Sequence, residues 1–156
     1  MSIFSISLSD EQRLEEGLCG LGEITIGDFS ESFRASLSYW NRQDYFEQWM
    51  NALNEITVLK RSKAVIISSM YDPDTANFIL CWVMYNLGDL VCFQNHIFFL
   101  DNLITPFNEK NMSKLIPDRE QVTEEGERIS EWTISLIDIE NSIKNLNLGR
   151  PMSGLA

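Results

Sequence analysis

The stretch that decides the fold runs from Lys63 to Leu100 and reads KAVIISSMYDPDTANFILCWVMYNLGDLVCFQNHIFFL. It contains three apolar runs, 64–70, 78–86 and 90–100, whose Val, Ile, Phe, Tyr and Trp content predicts three consecutive β-strands. The sequences that separate them, YDPD and LGD, are typical of turns. These runs are too continuously apolar for a sheet wetted on one face, so we expect other parts of the chain to cover both faces at least in part.

Toward the N-terminus, Phe4, Ile6 and Leu8 alternate with serines in a short run. Ser9 and Gln12 then predict a capping box, followed by a short acidic helix that ends near Gly20 and Gly22. Residues 23–28 and 33–39 predict two further strands, separated by 30–32.

The principal helix is predicted over residues 41–59, with Asn41 at its start and Asp44 in its first turn. Its apolar stripe has helical spacing and comprises Tyr45, Trp49, Leu53 and Ile56. A long polar stretch, 101–127, is followed by an alternating last strand, 129–136, and by a short helix capped by Asp138. The predicted fold is α+β: a mostly antiparallel sheet of about six or seven strands, one helix (41–59) packed on a face, and short terminal helices.

Length and composition indicate a single domain over residues 1–156. No apolar run reaches the roughly 18 residues of a membrane span, and the first residues lack the basic segment of a secretory signal. The three cysteines are an odd number, which favours free buried thiols in a reducing compartment. We therefore expect a cytoplasmic protein without a membrane partner.

The charge is strongly and unevenly negative, at −11 overall. Residues 1–35 hold seven acids and two bases, and residues 101–131 hold eight acids and four bases. Such a chain does not bind nucleic acid by neutralising phosphates, but it attracts a basic protein. An acidic surface that only maintains solubility is the simpler alternative.

Motifs for catalysis or cofactor binding are not found in the sequence. His96 is the only histidine, the cysteines lack metal-ligand spacing, and no glycine-rich phosphate loop occurs. The carboxylate pairs 72/74 and 124/125 are expected by chance among 23 acids. We therefore predict that the protein is not an enzyme and that it has no catalytic residue, cofactor or metal. A small hydrolase that uses Asp and Glu is the alternative hypothesis.

A string of aromatic and turn residues with fixed spacing extends over about residues 33–139. Its pieces are Ser38-Tyr39-Trp40, Asp44-Tyr45, Gln48-Trp49, Ser69-Met70-Tyr71-Asp72-Pro73, Ala76-Asn77-Phe78, Trp82, Tyr85, Gly88-Asp89, Gln94-Asn95, Phe99-Leu100, Pro106-Phe107, Ile116-Pro117, Arg119-Glu120, Gly126 and Ile129-Ser130-Glu131-Trp132. In these pieces the chain resembles the immunity proteins of bacterial contact-dependent growth inhibition systems.

The resemblance implies an antidote that binds the C-terminal toxin domain of a cognate inhibitor as a 1:1 heterodimer and blocks its active site. Many such toxins are nucleases, and we expect an RNase. Because recognition must be private to each pair, we expect contacts from charged residues outside the shared motifs or exposed beside them. The predicted toxin-binding acids are Asp72, Asp74, Glu124, Glu125, Glu127, Glu11, Glu15 and Glu16. A second alternative is an acidic adaptor or chaperone for another basic protein.

Overall fold

The computed structural model describes residues 3–14, 17–101, 103 and 105–147. Within them lie seven strands, two α-helices and one 3-10 helix. In chain order these are β1 Phe4–Leu14, β2 Gly17–Ile26, β3 Phe29–Ser36, α1 Arg42–Thr57, β4 Lys63–Ser69, β5 Phe78–Asn86, β6 Leu90–Phe99, the 3-10 helix Glu109–Leu115, β7 Trp132–Ser135 and α2 Leu136–Asn147. The α+β class and the number of strands agree with the prediction. No helix in the described ranges is long and apolar enough to cross a bilayer.

The strands form two antiparallel sheets, ordered β1-β2-β3 and β4-β5-β6-β7. The three strands predicted from the central stretch are confirmed as β4, β5 and β6, which are adjacent in the larger sheet. The tight connection between β5 and β6 contains Gly88 with a φ of 99°, a conformation that glycine adopts without strain. The central stretch therefore builds three quarters of the larger sheet by local hairpin pairing.

The prediction of an acidic helix near the N-terminus is wrong. Residues 4–14 and 17–26 instead form an antiparallel hairpin, β1-β2, in which Leu14 pairs with Gly17. Ser9, interpreted as a helix cap, lies at an irregularity between Leu8 and Glu11, where its hydroxyl accepts the backbone N–H of Leu21. The side-chain oxygen that would cap a helix satisfies a sheet N–H here.

The predicted break at residues 30–32 is also wrong, because those residues lie inside β3 and pair with β2. The chain turns instead between Ile26 and Phe29, where Gly27 has a φ of 63°. The last strand is shorter than predicted, and Leu136 already begins α2. Asp138 lies in the first turn of α2 rather than at its cap, and its N–H is accepted by the Ser135 hydroxyl.

Helix α1 begins where the sequence predicts and packs against β4. Asn41 and Asp44 form a reciprocal capping box, with both hydrogen bonds at 2.9 Å. The Gln48 amide donates to the Val65 carbonyl at 2.7 Å and accepts the Ile67 N–H at 2.9 Å. Because β4 is an edge strand, this side chain pairs backbone groups that no neighbouring strand reaches.

Both faces of the larger sheet are covered in part, as predicted. On one face the smaller sheet contributes Phe4, which stacks on Phe93 with ring centroids 5.4 Å apart. On the other face the chain beyond β6 crosses the sheet, and its backbone carbonyls accept hydrogen bonds from Lys63, Tyr85 and Gln94. The core therefore lies in two layers, one on each side of β5 and β6.

Candidate functional site

The first group of predicted acids, Asp72 and Asp74, lies in the turn between β4 and β5. Asp72 is half-buried, and its side chain accepts the N–H of Asp74 at 2.9 Å. Its backbone carbonyl accepts the N–H groups of Thr75 and Ala76. Asp74 is exposed. Asp72 therefore shapes the turn with one carboxylate oxygen, while Asp74 presents its charge to solvent.

The second group, Glu124, Glu125 and Glu127, lies in one tight turn and is exposed. The turn closes through a 2.8 Å hydrogen bond from the Thr123 N–H to the Glu127 carbonyl. Gly126, with a φ of 84°, permits the reversal of the chain. Three carboxylates are thus displayed at the tip of a small hairpin, which we call the acidic turn (residues 123–127).

The acidic turn is held to the sheet by Glu131, which belongs to a family motif but was not among the predicted toxin-binding acids. The Arg119 guanidinium donates to both Glu131 oxygens, at 2.5 and 3.1 Å. The Gln94 amide and the Cys92 thiol, both on β6, donate to the same carboxylate at 3.0 and 2.9 Å. These hydrogen bonds, above all the pair from Arg119, lower the pKa of Glu131 from its ordinary 4.5 to about 2, although partial burial opposes the shift.

The third group falls largely outside the described part of the protein. Glu15 and Glu16 lie outside the described residues, and Glu11 is described only as a β1 residue paired with Gly20. Nearby, Asp10 receives a 2.8 Å hydrogen bond from Arg42 of α1. The predicted helix would have included Glu11, which lies in strand β1 instead.

The structure does not bring the first two groups together. Glu131 reaches β6 through Cys92 and Gln94, whereas the Asp72 turn adjoins the far end of the hairpin, where Phe78 pairs with Phe99. Side chains alternate along a strand, so residues 92 and 94 lie on the face opposite to 99. The acidic turn is therefore anchored on one face of the sheet, and the apolar side chains beside the Asp72 turn lie on the other.

Sequence reasoning missed a group of exposed apolar side chains at the end of the β5-β6 hairpin. Phe78, Ile97 and Phe99 are 39%, 55% and 56% exposed, although they belong to runs predicted to be covered. Among the residues of the family motifs, Gln48 and Glu131 are hydrogen-bonded within the protein, whereas Phe78 and Phe99 are exposed. An uninterrupted apolar run contains no signal that separates its covered half from its exposed half.

An open pocket of about 490 Å³ continues this apolar surface. Phe78 and Tyr71 line it, and their rings meet edge to face with centroids 5.9 Å apart. Tyr39, which is 48% exposed, and Asp72 line it as well. Exposed aromatic side chains are enriched at protein-binding surfaces.

The thiols and the histidine are poorly suited to chemistry. Burial raises the pKa of Cys81 to about 12, and burial with the nearby Glu131 raises that of Cys92 to about 11. Neither thiol forms the nucleophilic thiolate near neutral pH. Burial lowers the pKa of His96, whose ring contacts Gln94 at 3.0 Å. Among the described residues, no three His, Cys, Asp or Glu side chains could hold a metal ion.

Comparison with known proteins identifies the family. A family model described as the CdiI N-terminal domain matches residues 35–142. The chain therefore belongs to the CdiI family, whose members are toxin-binding immunity proteins and not enzymes. The family resemblance expected from the aromatic and turn motifs, over about 33–139, is confirmed.

Two relatives cover nearly the whole chain. "Immunity protein CdiI" of Enterobacter cloacae subsp. cloacae is 34% identical over 142 residues, which span 89% of this chain and 97% of that protein. A chain of the solved structure "CdiA-CT/CdiI toxin and immunity complex from Enterobacter cloacae" is 32% identical and superimposes with a TM-score of 0.84. That match covers 93% of this chain and 99% of the other, so the likeness extends beyond the family model on both sides.

Proposed function

We propose that this protein is a cytoplasmic antidote, which binds the C-terminal toxin domain of a cognate contact-dependent growth inhibition effector in a 1:1 complex and covers its active site. The observation that carries the proposal is the structural match to a chain of a toxin and immunity complex, of which 99% is covered. The antidote acts by occupying the toxin and contributes no reactive group of its own.

The charge of the chain supports a basic target. At a net charge of −11, it repels nucleic acid and attracts proteins whose surfaces bind phosphates. A nuclease, and an RNase in particular, needs such a cationic surface around its active site. Association between oppositely charged proteins reaches about 10⁸–10⁹ M⁻¹s⁻¹ at low salt, which favours capture of a toxin before it acts.

The test is co-expression with the toxin domain encoded by the reading frame directly before this gene. We expect growth to be restored, and a 1:1 complex to be recovered by size-exclusion chromatography with light scattering. An immunity protein paired with a different toxin is the control for specificity. A stable complex without restored growth would favour the adaptor or chaperone alternative. If no complex forms and growth is not restored, the proposal is refuted.

The proposed acidic contacts require a separate test. Asparagine at Asp72 and Asp74, and glutamine at the six glutamates, removes eight charges and changes the net charge from −11 to −3. Asparagine retains the oxygen that Asp72 uses in its turn. A buried, paired acid contributes about 2–5 kcal/mol to binding, whereas a peripheral acid mainly accelerates association. If the variant with all eight substitutions binds the toxin domain with unchanged affinity and an unchanged association rate, these contacts are excluded.

A further inference from the structure

The outer end of the β5-β6 hairpin has one uncovered apolar face. Phe78 pairs with Phe99 across the strands, and Leu80 pairs with Ile97. Directly paired residues point to the same face, so these four side chains form one continuous surface. We call Phe78, Ile97 and Phe99, the most exposed of them, the hairpin patch.

The exposure follows from where β3 crosses the larger sheet. Phe29 of β3 stacks on Trp132 of β7 at 4.0 Å, and Glu31 accepts a hydrogen bond from Asn95 of β6 at 3.3 Å. At its end, the Ser36 N–H donates to the Ser69 hydroxyl of β4 at 3.0 Å. Strand β3 thus covers the face as far as Asn95, and the hairpin patch lies beyond it.

The opposite face of the same hairpin end is covered, so the exposure is not that of a frayed end. Ile79 and Phe98 alternate with the patch residues, and they are 0% and 9% exposed. The Phe98 ring contacts the Phe107 ring with centroids 6.1 Å apart. The strand pair is therefore held in place by one face, and the other is presented as a rigid apolar surface.

Acidic side chains lie on two sides of the hairpin patch. Glu31 borders it along β3, and Asp72 lines the adjoining pocket. Asp74 follows in the same turn, where its N–H donates to Asp72. Residues 64–109, which include the whole hairpin and both of its flanking turns, contain no Lys or Arg. A partner that fits must bring an apolar centre and a basic periphery.

We propose that the hairpin patch is the central contact for the toxin domain, with the pocket beside Tyr39 and Tyr71 receiving a side chain of the toxin. This inference rests on the proposed function and adds the surface through which it operates. Exposed aromatic residues next to a pocket have the composition of binding hot spots. The charge of the patch surroundings argues against a second copy of this chain, since a twofold contact would place Asp72, Asp74 and Glu31 of both copies close together.

The test uses the double variant Ile97→Thr/Phe99→Thr, because threonine favours strands and both side chains are more than half exposed. The matched control is Leu90→Thr, a 45% exposed residue at the other end of the same strand. Affinity for the toxin domain is measured by isothermal titration calorimetry. We expect Kd to rise about 100-fold or more in the double variant and to change less than about 3-fold in the control, with unfolding midpoints close to wild type.

The outcomes separate this inference from the proposed function. If the wild-type protein binds the toxin and the double variant binds equally well, the hairpin patch is not the contact, although the antidote role stands. If the wild-type protein does not bind the toxin, both fail. If sedimentation shows a wild-type dimer that the double variant dissociates, the patch serves self-association and the inference is overturned.

Discussion

Glu131 offers the sharpest test of how the protein holds its acidic turn. Its carboxylate receives four hydrogen bonds, two of them from Arg119, and both side chains are largely shielded, at 18% and 26% exposure. Glu131→Gln removes the charge while keeping the size of the side chain. The perturbation leaves the Arg119 guanidinium without its paired charge in a partly buried position.

The magnitude follows from the pKa of Glu131. A fall from 4.5 in the unfolded chain to about 2 in the folded protein corresponds to about 3 kcal/mol of stability near neutral pH. Because the folded pKa is the lower one, this contribution is complete above about pH 5 and is lost as the pH falls toward 2. At pH 3 about 1 kcal/mol of it remains, so about 2 kcal/mol disappears between pH 7 and pH 3.

The assay is urea unfolding at pH 7 and pH 3, followed by tryptophan fluorescence. Glu131→Gln should lower the free energy of unfolding by about 2–3 kcal/mol at pH 7 and by much less at pH 3. Glu125→Gln, an exposed acid of the same loop, is the control and should change stability by less than about 0.5 kcal/mol at either pH. Equal stability of the two variants at pH 7, or an unchanged pH dependence in Glu131→Gln, would refute the role of this carboxylate.

Three further predictions concern the edge of β4, the acidic turn and the smaller sheet. Gln48→Ala should reduce the free energy of unfolding by about 2–3 kcal/mol in urea titrations, because it leaves the Val65 carbonyl and the Ile67 N–H unpaired. Gly22→Ala should destabilise by about 1–3 kcal/mol, since an added Cβ would lie 2.3 Å from the Phe33 ring; a melting temperature equal to wild type would contradict this packing. Glutamine at Glu124, Glu125 and Glu127 of the acidic turn should lower the rate constant of toxin association at low ionic strength, as measured by stopped flow. The rate constant should also depend less on salt concentration, and the dissociation rate should change little.

The local sequence was sufficient for the central hairpins and for helix α1. The strands of residues 63–99 follow from β-branched and aromatic content and from turn residues such as Gly88, all of which act over a few positions. The start of α1 follows from Asn41 and Asp44, which bond to each other within one turn. The acidic composition was compatible with a basic partner, but it did not distinguish such a partner from a surface that only maintains solubility.

The N-terminal hairpin could not be predicted from local sequence, because it depends on contacts between residues that are distant in the chain. Gly20 and Gly22 were interpreted as a helix stop, but they lie in β2, where a Cβ would collide with Leu8 and with the Phe33 ring. Glycine is required at these two positions because side chains of neighbouring strands lie close to the backbone, and the residues next to them in sequence do not indicate this.

Local sequence is enough to identify the parts of the proposed site, which are an apolar hairpin without Lys or Arg and two turns rich in carboxylates. Which of these side chains are exposed to solvent depends on the tertiary structure. Strand β3 covers this face of the sheet only as far as Asn95, so Phe99 is exposed. Arg119 binds Glu131, while the three glutamates of the acidic turn are exposed. Exposure depends on the path of other segments across a surface, and that path is fixed by packing of the whole chain rather than by neighbours in sequence.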